Sequence, residues 1–119
     1  MISVPDEARL KIRIQELHAA VAANDAQTWY AMMPPYLRKT IKFEDFKTDM
    51  GLNHSREEKM RLNFEKLCYP CTVIGERIRC GVTAKAESKG RKALISELWE
   101  YVDGEWYWAI FGEWGCEDQ

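Results

Sequence analysis

The chain of 119 residues carries 17 basic and 19 acidic side chains, a formal net charge of -2, and is 46% hydrophobic, 12% aromatic and 30% charged. That length matches one domain, and that apolar share excludes extended disorder. Its apolar runs fall far short of the roughly 20 residues that cross a bilayer. No basic stripe gathers the positive field that phosphate binding needs, so neither a membrane nor a nucleic acid is an expected partner.

The N-terminal MISVPDEARLK has no charged start, apolar run or small-residue cleavage site. The sequence as it stands therefore implies a cytoplasmic protein, and a periplasmic or secreted one if a signal segment once preceded it. Four cysteines, Cys68, Cys71, Cys80 and Cys116, are too few for a disulfide-dense scaffold and do not form two paired CxxC sets.

In chain order, Leu10, Ile14, Leu17 and Val21 recur at helical spacing from Pro5 to about Ala23, with Asp6 and Glu7 at the positive end of the dipole. Asn24-Asp25 breaks this helix and caps a second one through Trp29 and Met33, which Pro34-Pro35 must end. A turn is expected over Pro34 to Thr40. Thr40 to Gly51 then reads as a short helix with Phe43, Phe46 and Met50 inward and Gly51 as its C-terminal cap. Ser55-Arg56-Glu57-Glu58 has the form of a capping box, opening a helix that buries Met60, Phe64 and Leu67.

After Pro70 the period turns to alternation. Gly75-Glu76, Lys89-Gly90 and Asp103-Gly104 fall where hairpin turns belong, so the second half reads as an antiparallel meander. A two-residue turn at Asp103-Gly104 sets Tyr101 opposite Trp106, Trp99 opposite Trp108 and Glu97 opposite Ile110. One face then holds Ile95, Glu97, Trp99, Tyr101, Trp106, Trp108 and Ile110, joined by Cys80, Val82 and Ala84, and helices must cover it. The other face carries Leu94, Leu98, Val102, Tyr107, Ala109 and Phe111, more apolar surface than a solvated sheet usually shows. The expected architecture is α+β in a single domain spanning 1–119, with helices over about 5–67 packed on a curved antiparallel sheet over about 70–115.

This order of elements, ending in the hairpin YVDGEWYWAIFG, resembles the nuclear transport factor 2-like superfamily, the cystatin-like cone fold. The resemblance implies a cone-shaped pocket between the concave sheet face and the helices, and a dimer formed through the sheet. The superfamily includes isomerase-like and cyclase-like enzymes and dehydratases as well as domains that only bind, so the resemblance locates a site without choosing its chemistry.

Within that expected pocket, Glu97 is the first catalytic candidate, because a carboxylate among Trp99, Trp108 and Ile110 is desolvated and suited to proton transfer. His18, one turn after Ile14, shares the inward face of the first helix and is its candidate partner. The bland alternative is a buried hydrogen bond from helix to sheet. Trp29, Met33, Trp99, Trp108 and Ile110 are placed to stack a flat apolar ligand, or simply to fill a core. Asp45 and Asp49 sit most simply on the wet side of their helix, and His54 takes no role. Cys68-Tyr69-Pro70-Cys71 has CxxC spacing but no helix after it to activate a thiol, so no metal is expected. With Gly75-Glu76 as a turn, Cys71 and Cys80 are directly opposed and within reach of a disulfide, while Cys116 lies too far along the sheet.

The leading expectation is a non-catalytic small-ligand-binding or assembly module without a cofactor, dimerising through the outer face around Leu98, Ala109 and Phe111. The alternative is a small cofactor-free enzyme of proton transfer, isomerase, dehydratase or cyclase in type, with Glu97 as base and His18 or a tyrosine as partner.

Overall fold

The computed structural model of the chain describes residues 4–50 and 60–112, and within them it is α+β. Four helices, α1 (Glu7–Ala23), α2 (Ala26–Ala31), α3 (Pro35–Thr40) and α4 (Phe43–Asp49), precede four strands, β1 (Arg61–Ile74), β2 (Arg77–Ser88), β3 (Arg91–Val102) and β4 (Glu105–Gly112). The strands form one antiparallel sheet in the order β1-β2-β3-β4. No described helix is long and apolar enough to cross a membrane.

The local chemistry explains the helix ends. The Asp6 side chain accepts from the Arg9 amide to cap α1, and Asn24 ends it in a left-handed conformation with φ of 54°. Asp25 then accepts from the Thr28 amide to start α2. The two prolines do end α2, but Pro35 also begins α3, since a first-turn proline lacks an amide that the helix would not use. The expected turn over Pro34 to Thr40 is therefore a helix. Helix α4 lies inside the expected 40–51 segment and buries Phe46; the Gly51 cap, His54 and the Ser55 capping box lie outside the described residues.

The largest correction is β1. The spacing of Met60, Phe64 and Leu67 predicts a helix, but the chain from Arg61 onward is strand. Phe64 pairs with Ala84 and Lys66 with Thr83, so Glu65 is an extra residue that breaks the alternation. Leu62 is buried and Phe64 is exposed. An interrupted period of two mimicked a period of 3.6.

All three hairpin turns fall where glycine allows them. Lys89 and Gly90 have φ of 52° and 73°, and Asp103 and Gly104 have φ of 49° and 83°, the paired positive values that match strand twist in a two-residue turn. Near the last turn Tyr101 faces Trp106 and Trp99 faces Trp108. Beyond it a bulge intervenes: Leu98 faces Ile110 and Glu97 faces Phe111, not Ile110 as the simple count predicts. Ala109 is the extra residue, and every side chain after it changes face.

Helix α1 lies across the inner sheet face, burying Leu10, Ile14, Leu17 and Val21 against Val82, Trp99 and Trp106 in one core. Polar contacts fix its N-terminal end. Arg9 donates to both Glu105 carboxylate oxygens, at 3.1 and 2.8 Å, and Trp106 Nε1 donates to the Pro5 carbonyl at 2.9 Å. The Arg9 hydrogen bond holds the Glu105 carboxyl below its ordinary value, against a smaller opposing effect of burial.

Candidate functional site

Strand β3 places Glu97 on the face beneath α1, at the level of His18. Glu97 is fully buried and His18 is 8% exposed. His18 Nε2 lies 2.6 Å from Glu97 Oε2, while Trp99 Nε1 donates to Oε1 at 2.8 Å. Each carboxylate oxygen thus has a partner that satisfies it in a water-poor environment, where an unpaired carboxylate would be very costly. The two residues singled out for proton transfer do meet. Their geometry is a closed link from helix to sheet, with the carboxylate held between an imidazole and an indole.

A second buried carboxylate, not among the sequence-derived candidates, lies on the opposite face of the same strand. Glu100 is fully buried. Arg79 donates to its Oε2 at 3.0 and 2.6 Å, Arg77 donates to Oε1 at 3.2 Å, and the Tyr36 hydroxyl of α3 donates to Oε1 as well. The Arg77 guanidinium also stacks over the Tyr36 ring at 4.4 Å. Burial, then the hydrogen bond to Glu100, raises the Tyr36 phenol above its ordinary value. Simple counting from the Lys89-Gly90 turn puts Arg79 opposite Glu100, so the ion pair is legible as a cross-strand pair. Its burial is not, because that needs α3, a segment expected to be a turn.

The aromatic candidates divide into two groups. Trp99 is spent on the core and on Glu97. Trp29 is packed among Phe46, Trp108 and Phe111, with ring centroids 5.6, 6.0 and 6.0 Å away. Met33, Trp108 and Ile110 instead line a cavity of about 310 Å³, together with Ile41, Phe46, Asp49, Met50, Ala109 and Phe111. Neither Glu97 nor His18 borders it. Two local causes build this cavity. The Pro34-Pro35 pair starts α3 and turns the chain so that Ile41 and α4 stand over the sheet edge, and the Ala109 bulge swings Phe111 inward. Ile41, Phe46, Met50 and Phe111 are lining residues that the sequence did not reveal as a set.

The bulge also revises the outer face. Phe111 packs on Trp108 at 4.7 Å and belongs to the inner side, so it does not contribute to the outer patch assigned to it. Leu98 and Ala109 are half-buried, and the strongly exposed apolar residues near them are Leu94 and Ile110. Ile110, expected among the inner residues, pairs with Leu98 and is 49% exposed, reaching the cavity only from its rim. Thr83 and Ser96 are buried on the outer side, which is therefore less apolar than the alternation implies.

Cys71 and Cys80 are joined in a disulfide, with Cα atoms 4.6 Å apart, across the first hairpin. Cys68 is disulfide-bonded as well, and Cys116 lies outside the described residues. Among the described residues no group of His, Cys, Asp or Glu is disposed to hold a metal ion.

No family model and no curated protein matches the chain. It is similar to the solution structure of a SEC-C motif containing protein from Rhodopseudomonas palustris, with a TM-score of 0.54 and 15% identity over 87% of this chain and 77% of that one. Identity that low shows the shared fold alone. The likeness overturns the assignment to the nuclear transport factor 2-like superfamily. The signals behind that assignment, helices followed by a meander and a final Asp-Gly hairpin, are met by any α+β chain with a two-residue last turn.

Proposed function

We propose that the protein is a non-catalytic binding module for a small apolar molecule, held where α2, α3 and α4 meet the end of β4. This cavity lies at Met33, Phe46 and Trp108, away from the buried His18–Glu97 contact. The observation that carries the reading is the cavity of about 310 Å³, in which Asp49 is the one charged lining residue among the described residues. Small-molecule sites have this form: a largely preformed apolar concavity of about 300 to 1,000 Å³ with few polar groups. Proton transfer finds less support, because the buried carboxylates are engaged by His18 and Trp99 or by Arg77, Arg79 and Tyr36.

The test is titration of the ¹⁵N-labelled protein with the bicyclic hydrocarbon tetralin. Saturable shifts are expected at Met33, Ile41, Phe46 and Trp108, and Ile41→Trp, which fills the cavity, should abolish them. Absence of saturable shifts up to the solubility limit of the probe would overturn the reading.

A further inference from the structure

Within the binding reading just given, the charge at the cavity wall points to the class of ligand. Asp49 and Met50, the last helical residue and the C-cap of α4, both line the cavity, so the C-terminal end of that helix borders it. Asp49 is exposed, and among the described residues its side chain makes no hydrogen bond or ion pair. Lys47, the basic residue of the last turn of α4, is committed elsewhere: its Nζ lies 3.2 Å from Glu44 and 5.0 Å from the centre of the Phe43 ring. A helix C-terminus carries negative partial charge, which disfavours a carboxylate there and favours a cation. Asp49 thus adds its charge where the backbone is already negative. The rings of Phe46, Trp108 and Phe111 also line the cavity, and an aromatic ring attracts a cation at its face. No cationic side chain opposes them among the described lining residues.

We infer that the ligand is an organic cation: a largely apolar body, seated against Met33, Ile41 and Phe46, that carries one ammonium group recognised by the Asp49 carboxylate. A purely apolar ligand would leave that carboxylate without a counter-charge beside a low-dielectric wall, and an anionic one would set a like charge against it. An ammonium group meets the opposite charge. Because Asp49 is exposed, the ammonium group keeps part of its water there while the carbon skeleton fills the apolar space, as a lysine side chain does when its stem is buried and its head is not.

Three probes on one bicyclic body separate the place from the charge: tetralin, 2-aminotetralin, which is an ammonium ion at neutral pH, and 1,2,3,4-tetrahydro-2-naphthoate. 2-Aminotetralin should bind about three- to fivefold more tightly than tetralin, the worth of one ion pair at an exposed carboxylate, and the naphthoate should bind most weakly. Asp49→Asn should bring the amine to the affinity of tetralin and leave tetralin itself unchanged. The exposed position of Asp49 keeps that variant folded. Independently of affinity, the ¹³C resonance of the Asp49 carboxyl carbon in the wild type should move with 2-aminotetralin and not with tetralin. Equal affinities for amine and hydrocarbon, an amine preference undiminished in Asp49→Asn, or tightest binding by the naphthoate would each overturn the cationic class, while saturable tetralin binding leaves the pocket standing. If none of the three saturates, the pocket falls and this inference with it.

Discussion

His18 on α1 and Glu97 on β3, 79 residues apart in sequence, meet through a 2.6 Å contact between Nε2 and Oε2 in the interior of the protein. Removing one member strands the other in a medium that cannot solvate it, so His18→Ala or Glu97→Ala should each cost about 3 to 5 kcal/mol. Replacing both with leucine should cost markedly less, because neither member is then left without the other, although Trp99 loses its acceptor. Urea denaturation of the two single variants and the double variant checks this. Single losses below about 1 kcal/mol would mean that the contact is not a buried pair.

The pH dependence has two limbs, with signs fixed by different residues. The Arg9 hydrogen bond depresses the folded-state value of Glu105. A depressed carboxyl contributes stability that is present above its unfolded value and lost as pH falls through the folded one. Tyr36 is raised, by burial and then by its bond to Glu100. Its contribution is complete below the ordinary value of 10.0 and lost as pH climbs through the raised one. Glu105→Gln should flatten the acid limb of stability against pH, and Tyr36→Phe the alkaline limb. An unchanged profile in either variant would contradict the corresponding assignment.

The turns were legible because each is written in residues that tolerate a left-handed backbone, such as Asn24, Asp103, Gly90 and Gly104. From those turns, addition alone places Trp99 against Trp108 and Cys71 within a disulfide's reach of Cys80. Bulges have no such mark. Glu65 and Ala109 are ordinary residues in strand, yet each reverses the faces of the residues after it. The first makes β1 look helical, and a count that runs past the second without it places Ile110 inside and Phe111 outside. The cavity was out of reach for the same reason, since it needs both the Ala109 bulge and a helix that starts on a proline.

Close packing at Gly81 ties the cysteine pattern to stability. A Cβ added there would lie 3.2 Å from Cys68 Cβ and 3.3 Å from its Sγ. Because Cys68 is disulfide-bonded, that side chain cannot swing away. Gly81→Ala should therefore destabilise by about 1 to 3 kcal/mol, the usual cost of overpacking. Thermal unfolding measures it, and the loss should shrink when Cys68 is replaced by alanine in the same chain. An equal loss in both backgrounds would place the strain elsewhere.

Mass mapping of the oxidised protein should recover the Cys71–Cys80 linkage and find Cys68 protected from alkylation without reductant. The Cys71–Cys80 bond closes a short loop, with a sequence separation of 9. Replacing both with alanine should cost about 2 to 3 kcal/mol, within the range for a loop of that size. A free Cys71 thiol in oxidised protein would refute the register of the first hairpin.

The β4 bulge makes the last prediction, at two adjacent residues. Without it, Ile110 would pair with Glu97 under the helices and Phe111 would face out. With it, Phe111 packs against Trp108 and Trp29 at 4.7 and 6.0 Å, and Ile110 stands 49% exposed. Phe111→Ala removes ring contacts from a half-buried site and should cost about 2 kcal/mol, below the roughly 3 to 5 typical of a fully buried phenylalanine. Ile110→Ser, at the rim, should cost about 0.5 kcal/mol or less. The difference also bears on the cavity, since Phe111→Ala enlarges it and should weaken the binding of a flat bicyclic probe, whereas Ile110→Ser should leave binding nearly unchanged. Chemical denaturation and the tetralin titration together decide the matter. If Ile110→Ser proves the more damaging variant, the strand is unbulged and the cavity built on Phe111 does not exist in that form.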